Sequence, residues 1–309
     1  MTSTGARGLT PSPRIVLFVE EDGGDWHARR LAKALQARGA SVVTTTLKDC
    51  AFDTRTASGL DIPGFGGALP DGAFVRSISA GGLEQITLRL GILHALRESG
   101  VRVWNDARAI ERCVDKSTAT FLFQKAGLPT PQTRVVEGYE RAMEHAKSEA
   151  RPLVVKPLFG SQGNGIQRAR THAELPATET VGHVYYMQEY LRSEGATRFE
   201  DWRVFVSKGR ILAAMTRVGR TWITNVHQGA EPYGHDPDPE MQNLALAAVD
   251  VIGADYAGVD LIRAADGRLM VLEINSNPAW KGLQSVTDID IAGTLADDFL
   301  AEVRAGAGR

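Results

Sequence analysis

Apolar residues fall into two spacings along this chain, and the switches between them mark out its elements. Arg14 to Val19 is a short apolar run, and Ser41 to Leu47 is a second, rich in Val and Thr; both read as strands. Between them Asp25 is placed to cap a helix that Gly39 ends. Strand, helix and strand at this spacing predict a parallel βαβ unit. Ala73 to Val75 predicts a third strand. Leu83, Ile86, Leu90, Leu93 and Arg97 keep a helical period that Gly100 stops, and Val101 to Trp104 predicts a fourth strand. Phe52 to Asp71, rich in Gly, Asp and Pro, has no readable period.

A new helix signal starts at Asp115, an N-cap residue, with Ala119, Leu122, Phe123 and Ala126 on one face and Gly127 and Pro129 at its end. Thr133 to Val136 predicts a strand, Tyr139 to Glu149 an amphipathic helix, and Leu153 to Lys156 a strand. The glycine-rich stretch Gly160 to Gly165 follows, then a strand over Gln167 to Arg170, a polar helix, and a strand over Val184 to Gln188. Trp202 to Val206 and Ile211 to Thr216 read as a hairpin turning at Ser207-Lys208-Gly209-Arg210. Met241, Leu244, Ala245, Ala248 and Ile252 form a helix face stopped by Gly253. Gly258 to Ile262 and Leu269 to Ile274 form a second hairpin, and a final helix is predicted from Asp288 to Val303.

Composition narrows the class without naming it. The chain has 309 residues, 43% hydrophobic and 23% charged, enough for two domains with sizeable cores. A net charge of -2 argues against general nucleic-acid binding, which wants a basic face. No apolar run approaches a membrane span. Met1 to Pro13 is polar and lacks the apolar centre of a secretion signal, so a disordered tail is expected over 1–13. Cys50 and Cys113 form no disulfide or zinc pattern, and a reducing cytoplasm is the expected compartment.

Several stretches carry candidate chemistry. Lys156 closes an apolar strand and is followed by a loop with three glycines, which lets the backbone approach a phosphate beside a point charge. Lys116 sits in the first turn of its helix, where a cation opposes the dipole unless an anion lies nearby. Gln188-Glu189-Tyr190 ends a strand that can offer its edge to a base, with Glu189 for ribose hydroxyls. Asp201, Arg203, Arg217 and Arg220 surround a hairpin. The arginines fit a solvated face, or a clamp on phosphates or a carboxylate. Asp260 lies in one strand of the last hairpin. Glu273 and Asn275 lie two apart on the other, hence on one face. Three oxygen-bearing side chains from one hairpin suit Mg²⁺.

Taken in order, Asp115-Lys116, the Lys156 strand with its loop, Gln188-Glu189-Tyr190, Asp201-Trp202-Arg203, Gly258-Val259-Asp260 and Glu273-Ile274-Asn275 resemble the ATP-grasp superfamily. Thr224-Asn225-Val226-His227-Gln228-Gly229, Asn275-Ser276-Asn277-Pro278 and Asp290-Ile291-Ala292-Gly293 resemble its RimK-type α-L-glutamate ligases. Ile223 stands where the ribosomal-protein ligases usually have arginine. Pro278 to Gln284 is more similar to the relatives that glutamylate one-carbon coenzymes such as tetrahydromethanopterin.

The resemblance implies an α/β ATP-grasp fold preceded by a doubly wound domain. The expected boundaries are 14–110 for that domain, 111–187 for the subdomain with the glycine loop, and 188–309 for the subdomain with the metal site. It implies ATP with Mg²⁺ (or Mn²⁺), L-glutamate, an acceptor carboxylate and a homo-oligomer. In this reading Lys116, Lys156 and the loop residues Gly160, Ser161, Gln162, Gly163 and Gly165 hold the phosphates. Gln188 and Tyr190 hold adenine, Glu189 the ribose, and Asp201 also serves the nucleotide. Asp260, Glu273 and Asn275 hold metal. Arg203 and Arg217 stabilise the transferred group, and Asn225 and His227 face the substrate. The alternatives are an ATP-grasp ligase for a peptide or amino-acid carrier, a kinase that keeps its phosphorylated product, and a non-catalytic ATP-binding module.

Overall fold

Strand and helix alternate at the start of the chain: β1 (Arg14–Val19), α1 (Trp26–Ala37), β2 (Ser41–Thr46), the short β3 (Ala51–Phe52) and β4 (Leu60–Asp61), β5 (Gly72–Val75), α2 (Leu83–Glu98) and β6 (Arg102–Trp104). Next come α3 (Ala107–Val114), α4 (Lys116–Lys125), β7 (Thr133–Glu137), α5 (Tyr139–Ser148), β8 (Leu153–Lys156), β9 (Gln167–Ala169) and β10 (Val184–Glu189). The remainder is β11 (Phe199–Ser207), β12 (Arg210–Gly219), β13 (Glu231–His235), α6 (Pro239–Ile252), β14 (Tyr256–Arg263), β15 (Leu269–Asn275), α7 (Lys281–Gln284) and α8 (Ile291–Gly306). The computed structural model describes residues 12–21, 24–160, 163–192 and 197–306. The tail expected at the start, up to residue 11, and the loop residues Ser161 and Gln162 lie outside the described residues.

One unit takes the chain up to Trp104 together with Ala292 onward. Its four-stranded sheet has the order β2-β1-β5-β6, with every pair parallel. Asp25 caps α1 by accepting from the Ala28 amide at 2.8 Å. The sequence boundary placed 188–309 in one subdomain, but α8 belongs to this first unit. Phe299 packs on Phe74 and Trp104, with ring centroids 5.3 and 5.7 Å apart. Glu302 accepts from Arg102 Nε at 2.6 Å and from Trp104 Nε1 at 2.8 Å. Gly72 makes room for the helix, since a Cβ there would meet Val303 and Phe299 at 2.6 and 2.8 Å. The partners lie some two hundred residues apart, which local periodicity does not report.

Asn105–Ile291 forms the other unit, so its start precedes the expected boundary at 111. It carries two antiparallel sheets, β7-β10-β8-β9 and β13-β12-β11-β14-β15. The seam expected after residue 187 falls inside β10, which runs to Glu189. In the five-stranded sheet, alternate residues Trp202, Val204 and Val206 of β11 join Val259, Leu261, Val271 and Ile274 in a core with α4 and α6. Each large apolar side chain buried there contributes about 1.5–3 kcal/mol, which fixes the sheet whose other face carries the polar residues. Lys208 and Gly209 turn the β11–β12 hairpin at φ 50° and 66°, the two positive angles of a type I′ turn.

Two local expectations fail. The polar helix after Arg170 is absent; only the short 3₁₀ turns His172–Glu174 and Thr178–Val181 form. Pro176 between them has no N–H to continue a helix. Conversely α3, capped by Asp106, is an element the apolar spacing does not single out. Just before it, the fully buried Asn105 ties the start of β14 to the end of β15. Its amide donates to the Tyr256 and Ser276 carbonyls at 2.8 and 2.7 Å, and its oxygen accepts from the Asp255 amide at 2.7 Å.

Candidate active site

The two sheets of the second unit face each other across a cleft of about 870 Å³, counted to its open mouth. Strand alternation explains what lines it. In β8 the odd positions Leu153 and Val155 enter the core of the four-stranded sheet, so Val154 and Lys156 turn to the cleft. In the facing sheet Asp201 pairs in register with Arg217, Arg203 with Asp260, and Asp260 with Glu273. A row of charges of both signs therefore crosses four strands on one face.

Lys156 is 5% exposed. Its ammonium donates to Gln188 Oε1 at 2.8 Å and lies 5.7 Å from the Tyr186 ring centroid. Burial pulls its pKa down to about 8, against the opposing pull of Glu273. Lys116, at the first position of α4, donates to the Leu158 and Gly160 carbonyls at 3.2 and 3.0 Å. Burial lowers its pKa as well, with Glu273 working the other way. Two desolvated cations beneath a glycine loop are poised for an anion, which restores the charge stabilisation that burial removes. Gly160 and Gly163 line the cleft, and Gly165 does not. Gly163 sits at φ 76°, and a Cβ on it would meet Asn225 Oδ1 at 2.6 Å and Gln228 Nε2 at 2.7 Å. The loop thus rests directly on the Asn225–Gln228 segment. A Gly163→Ala change costs about 1 kcal/mol in backbone strain and displaces that segment. It is expected to raise the KM for ATP roughly fivefold with the melting temperature nearly unchanged. An unaltered KM would remove this loop from the nucleotide site.

The arginines divide in role. Arg217, 3% exposed, donates through Nε and Nη2 to both oxygens of Asp201, at 2.7 and 2.6 Å. Nη2 also reaches Asp260 Oδ2 at 3.0 Å. Burial works against its charge, but Asp201 and Asp260 outweigh it and hold the pKa above the ordinary arginine value. Arg203 grips Asp260 with two bonds, at 2.7 and 2.8 Å, and is not among the lining residues. The Asp260 carboxyl is pushed up by burial and pulled down further by Arg203 and Arg217, ending below its ordinary value.

Glu273 differs sharply from Asp260. Its carboxylate lines the cleft and makes no hydrogen bond or ion pair among the described residues. Asn275 Nδ2 is buried without a hydrogen-bond partner; turning the amide over presents its oxygen at the same place. An unpartnered acid beside an orphaned amide fits Mg²⁺, which takes one or two carboxylates and completes its shell with water and phosphate. Among the described residues no group of three or more His, Cys, Asp or Glu could hold a metal ion.

Other sequence candidates land differently. Gln188 is buried, and its side chain is spent on Lys156, Thr133 and Tyr186. It sets the lysine and offers no side chain to a base. Glu189 lines the cleft with its carboxylate paired to Arg151. Tyr190 lines it too, edge-on to Trp222 at 5.9 Å. Asn225 faces the cleft, whereas His227 is exposed and does not line it. Sequence reasoning missed the apolar slot of Val154, Ile166, Leu191, Ile262 and Leu272. Val154 and Ile262 stand two residues from Lys156 and Asp260, so strand alternation could have found them. Leu272 could not be found that way. The β14–β15 register shifts there, pairing Asp260 with Glu273 but Leu261 with Val271, and the bulge turns neighbours Leu272 and Glu273 to one side.

Apolar side chains, two buried lysines beneath a glycine loop and an acid without a protein partner among the described residues thus share one cleft. The RimK-like ATP-grasp domain is matched over residues 113–299, and the chain belongs to that family; it is an ATP-dependent, amide-bond-forming ligase. ATP and Mg²⁺ are the cofactors that go with the family. The chain is 36% identical over 234 residues to a tetrahydromethanopterin:alpha-L-glutamate ligase of Methanococcus maripaludis, spanning 74% of this chain and 78% of that one. It is 30% identical to a probable alpha-L-glutamate ligase 2 of Hahella chejuensis over 91% of this chain and 93% of the other. Among solved structures, the ATP-grasp ligase PsnB with minimal precursor, Mg and ADP shares the fold at TM-score 0.70 and 20% identity, covering 94% of this chain and 98% of that one. A RimK domain ATP-grasp protein from Sphaerobacter thermophilus shares it at TM-score 0.69 and 21% identity, covering 93% and 99%. The expected α/β ATP-grasp fold and RimK-type kinship are thereby met. No helix among the described residues is long and apolar enough to cross a membrane.

Proposed function

We propose that this ligase joins the amine of L-glutamate to an acceptor carboxylate that ATP has first phosphorylated, and that the acceptor is a one-carbon coenzyme of the tetrahydromethanopterin kind. The observation that carries the reading is the composition of the cleft. Lys116, Lys156 and Arg217 converge with the unpartnered Glu273, and no Cys or His stands among the described lining residues. These cations suit a phosphoryl group passing from ATP to a bound carboxylate. The likeness to ligases named for tetrahydromethanopterin and glutamate supports the choice of substrates.

In this mechanism an acceptor carboxylate oxygen attacks the γ-phosphorus, and ADP leaves. The glutamate amine attacks the resulting acyl carbon; phosphate leaves and the amine proton passes to solvent. Lys116 and Lys156 bind phosphate oxygens. Arg217 Nη1, which makes no hydrogen bond among the described residues, faces the transferred group. Such fixed donors act where charge is redistributed, in a site sheltered from water. The apolar slot and Tyr190 hold adenine, and Glu189 the ribose. Glu273 and Asp260, which line the cleft, and the buried Asn275 amide would hold Mg²⁺, which would neutralise phosphate charge. Asn225, beneath the loop, faces the substrates.

The test is ADP release with Mg-ATP and L-glutamate, with and without a reduced pterin acceptor ending in a carboxylate, followed by mass spectrometry of the acceptor. Whole glutamyl masses appearing in step with ADP are expected on the pterin. Glutamyl addition to a peptide carboxylate alone moves the enzyme to the peptide branch; ADP release only with another amine overturns glutamate.

A further inference from the structure

Asp201 was expected at the nucleotide, yet both its oxygens are committed within the protein. It is 2% exposed. Oδ1 accepts from Arg217 Nε at 2.7 Å. Oδ2 accepts from Arg217 Nη2 at 2.6 Å and from the Thr224 hydroxyl at 2.6 Å. Thr224 is itself 6% exposed, and its neighbour Asn225 lies beneath Gly163 of the glycine loop. One carboxylate therefore fixes the plane of a guanidinium and anchors the segment that meets the loop.

We infer that Asp201 and Thr224, which line the cleft beside Arg217, are positioning residues that aim Arg217 Nη1 at the phosphoryl group. Two parallel bonds from one carboxylate to Nε and Nη2 leave the guanidinium no freedom to rotate about its stem. The side left over is Nη1, and Arg217 lines the cleft. The Thr224 hydroxyl adds a third bond to the same carboxylate. It holds Oδ2 where Arg217 needs it, and it keeps Asp201 from turning toward the second cation of the row, Arg203. The inference rests on the proposed place of Arg217 beside the γ-phosphate.

The experiment compares the affinity of each full-length protein for Mg-ADP and for a Mg-bound, non-hydrolysable ATP analogue by calorimetry. Their ratio isolates the γ-phosphate contact and requires no acceptor. Asp201→Asn is expected to weaken analogue binding about tenfold relative to ADP, because its amide puts a donor against a guanidinium donor. Thr224→Val should weaken it in the same sense by less, and Thr224→Ser should restore it. ADP affinity itself should not move. Thr224→Val keeps side-chain shape, so it carries the test if Asp201→Asn fails to fold. Arg217→Lys serves as the reference. If it shifts the ratio while Asp201→Asn and Thr224→Val do not, the positioning role is overturned and the place of Arg217 stands. If Arg217→Lys leaves the ratio alone, the place of Arg217 is wrong and the inference falls with it. Equal losses for ADP and the analogue reduce Asp201 to a structural role and also overturn it.

Discussion

Lys156→Met is expected to lower ligation turnover by about 10²–10³-fold while leaving a protein at least as stable as the parent. The two halves of that result share one cause. Lys156 is 5% exposed, and burial holds its pKa at about 8 in place of 10.5. At about 1.4 kcal/mol per pH unit, keeping it charged costs the fold on the order of 3 kcal/mol. The cost is complete below about pH 8 and fades toward pH 10.5, because in that window the unfolded chain still holds the proton that the folded protein has released. A buried cation maintained at such expense, with one hydrogen bond among the described residues, to Gln188, is better explained by a ligand than by the fold. Methionine fills similar space without charge, so thermal melting should hold or rise while ATP affinity and turnover collapse. A companion result follows in the wild-type protein. ATP affinity should weaken as pH rises past about 8 and Lys156 gives up its proton, and in Lys156→Met this dependence should flatten. Normal turnover in Lys156→Met removes the lysine from the phosphate site, and a lost fold would mean that its role is structural.

Much of this was open to reading from residues alone, and the parts that were not have a common reason. Helix α4 and its Asp115 cap follow from local spacing, as does the β11–β12 turn through Lys208 and Gly209. The candidate residues Asp260 and Glu273 were legible because two strands joined by a short turn pair nearly in register. The reading failed where distant segments decide the outcome. Helix α8 was assigned to the wrong unit because its partners Phe74, Trp104 and Arg102 lie far back in the chain. That the Gln188 side chain is spent on a buried lysine across the sheet was likewise hidden, although Gln188 lines the cleft. That both oxygens of Asp201 are occupied by Arg217 and Thr224 is also something a sequence does not report. Leu272 stayed hidden because a bulge overrides alternation. Local rules thus give the elements and the charged residues. The partners of those residues, and hence which ones remain available to a ligand, come only from packing.

That distinction gives the last prediction its form. Asp260 and Glu273 face each other across β14 and β15, and sequence treats them as equivalent metal ligands. In the structure Asp260 is gripped by Arg203 and Arg217, whereas Glu273 is bound to nothing among the described residues. Asp260→Asn strands Arg203, whose side chain is 12% exposed, and takes one of two acids from Arg217, which keeps Asp201; breaking a buried ion pair from one side costs about 3–5 kcal/mol. Its melting temperature should fall whether or not Mg²⁺ is added. Glu273→Gln removes an acid with no hydrogen bond or ion pair among the described residues, whose long-range field acts on Lys116, Lys156, Cys113 and Tyr186. Its melting temperature should change little, the Mg²⁺ needed for half-maximal turnover should rise at least about tenfold, and turnover at saturating metal should drop by about 10²-fold or more. The fall in Mg²⁺ affinity should also appear in nucleotide-dependent metal titration without any acceptor. An ordinary Mg²⁺ requirement in Glu273→Gln would move the metal off this hairpin. A matching loss of stability in both variants would mean that the free carboxylate is an anchor like its neighbour.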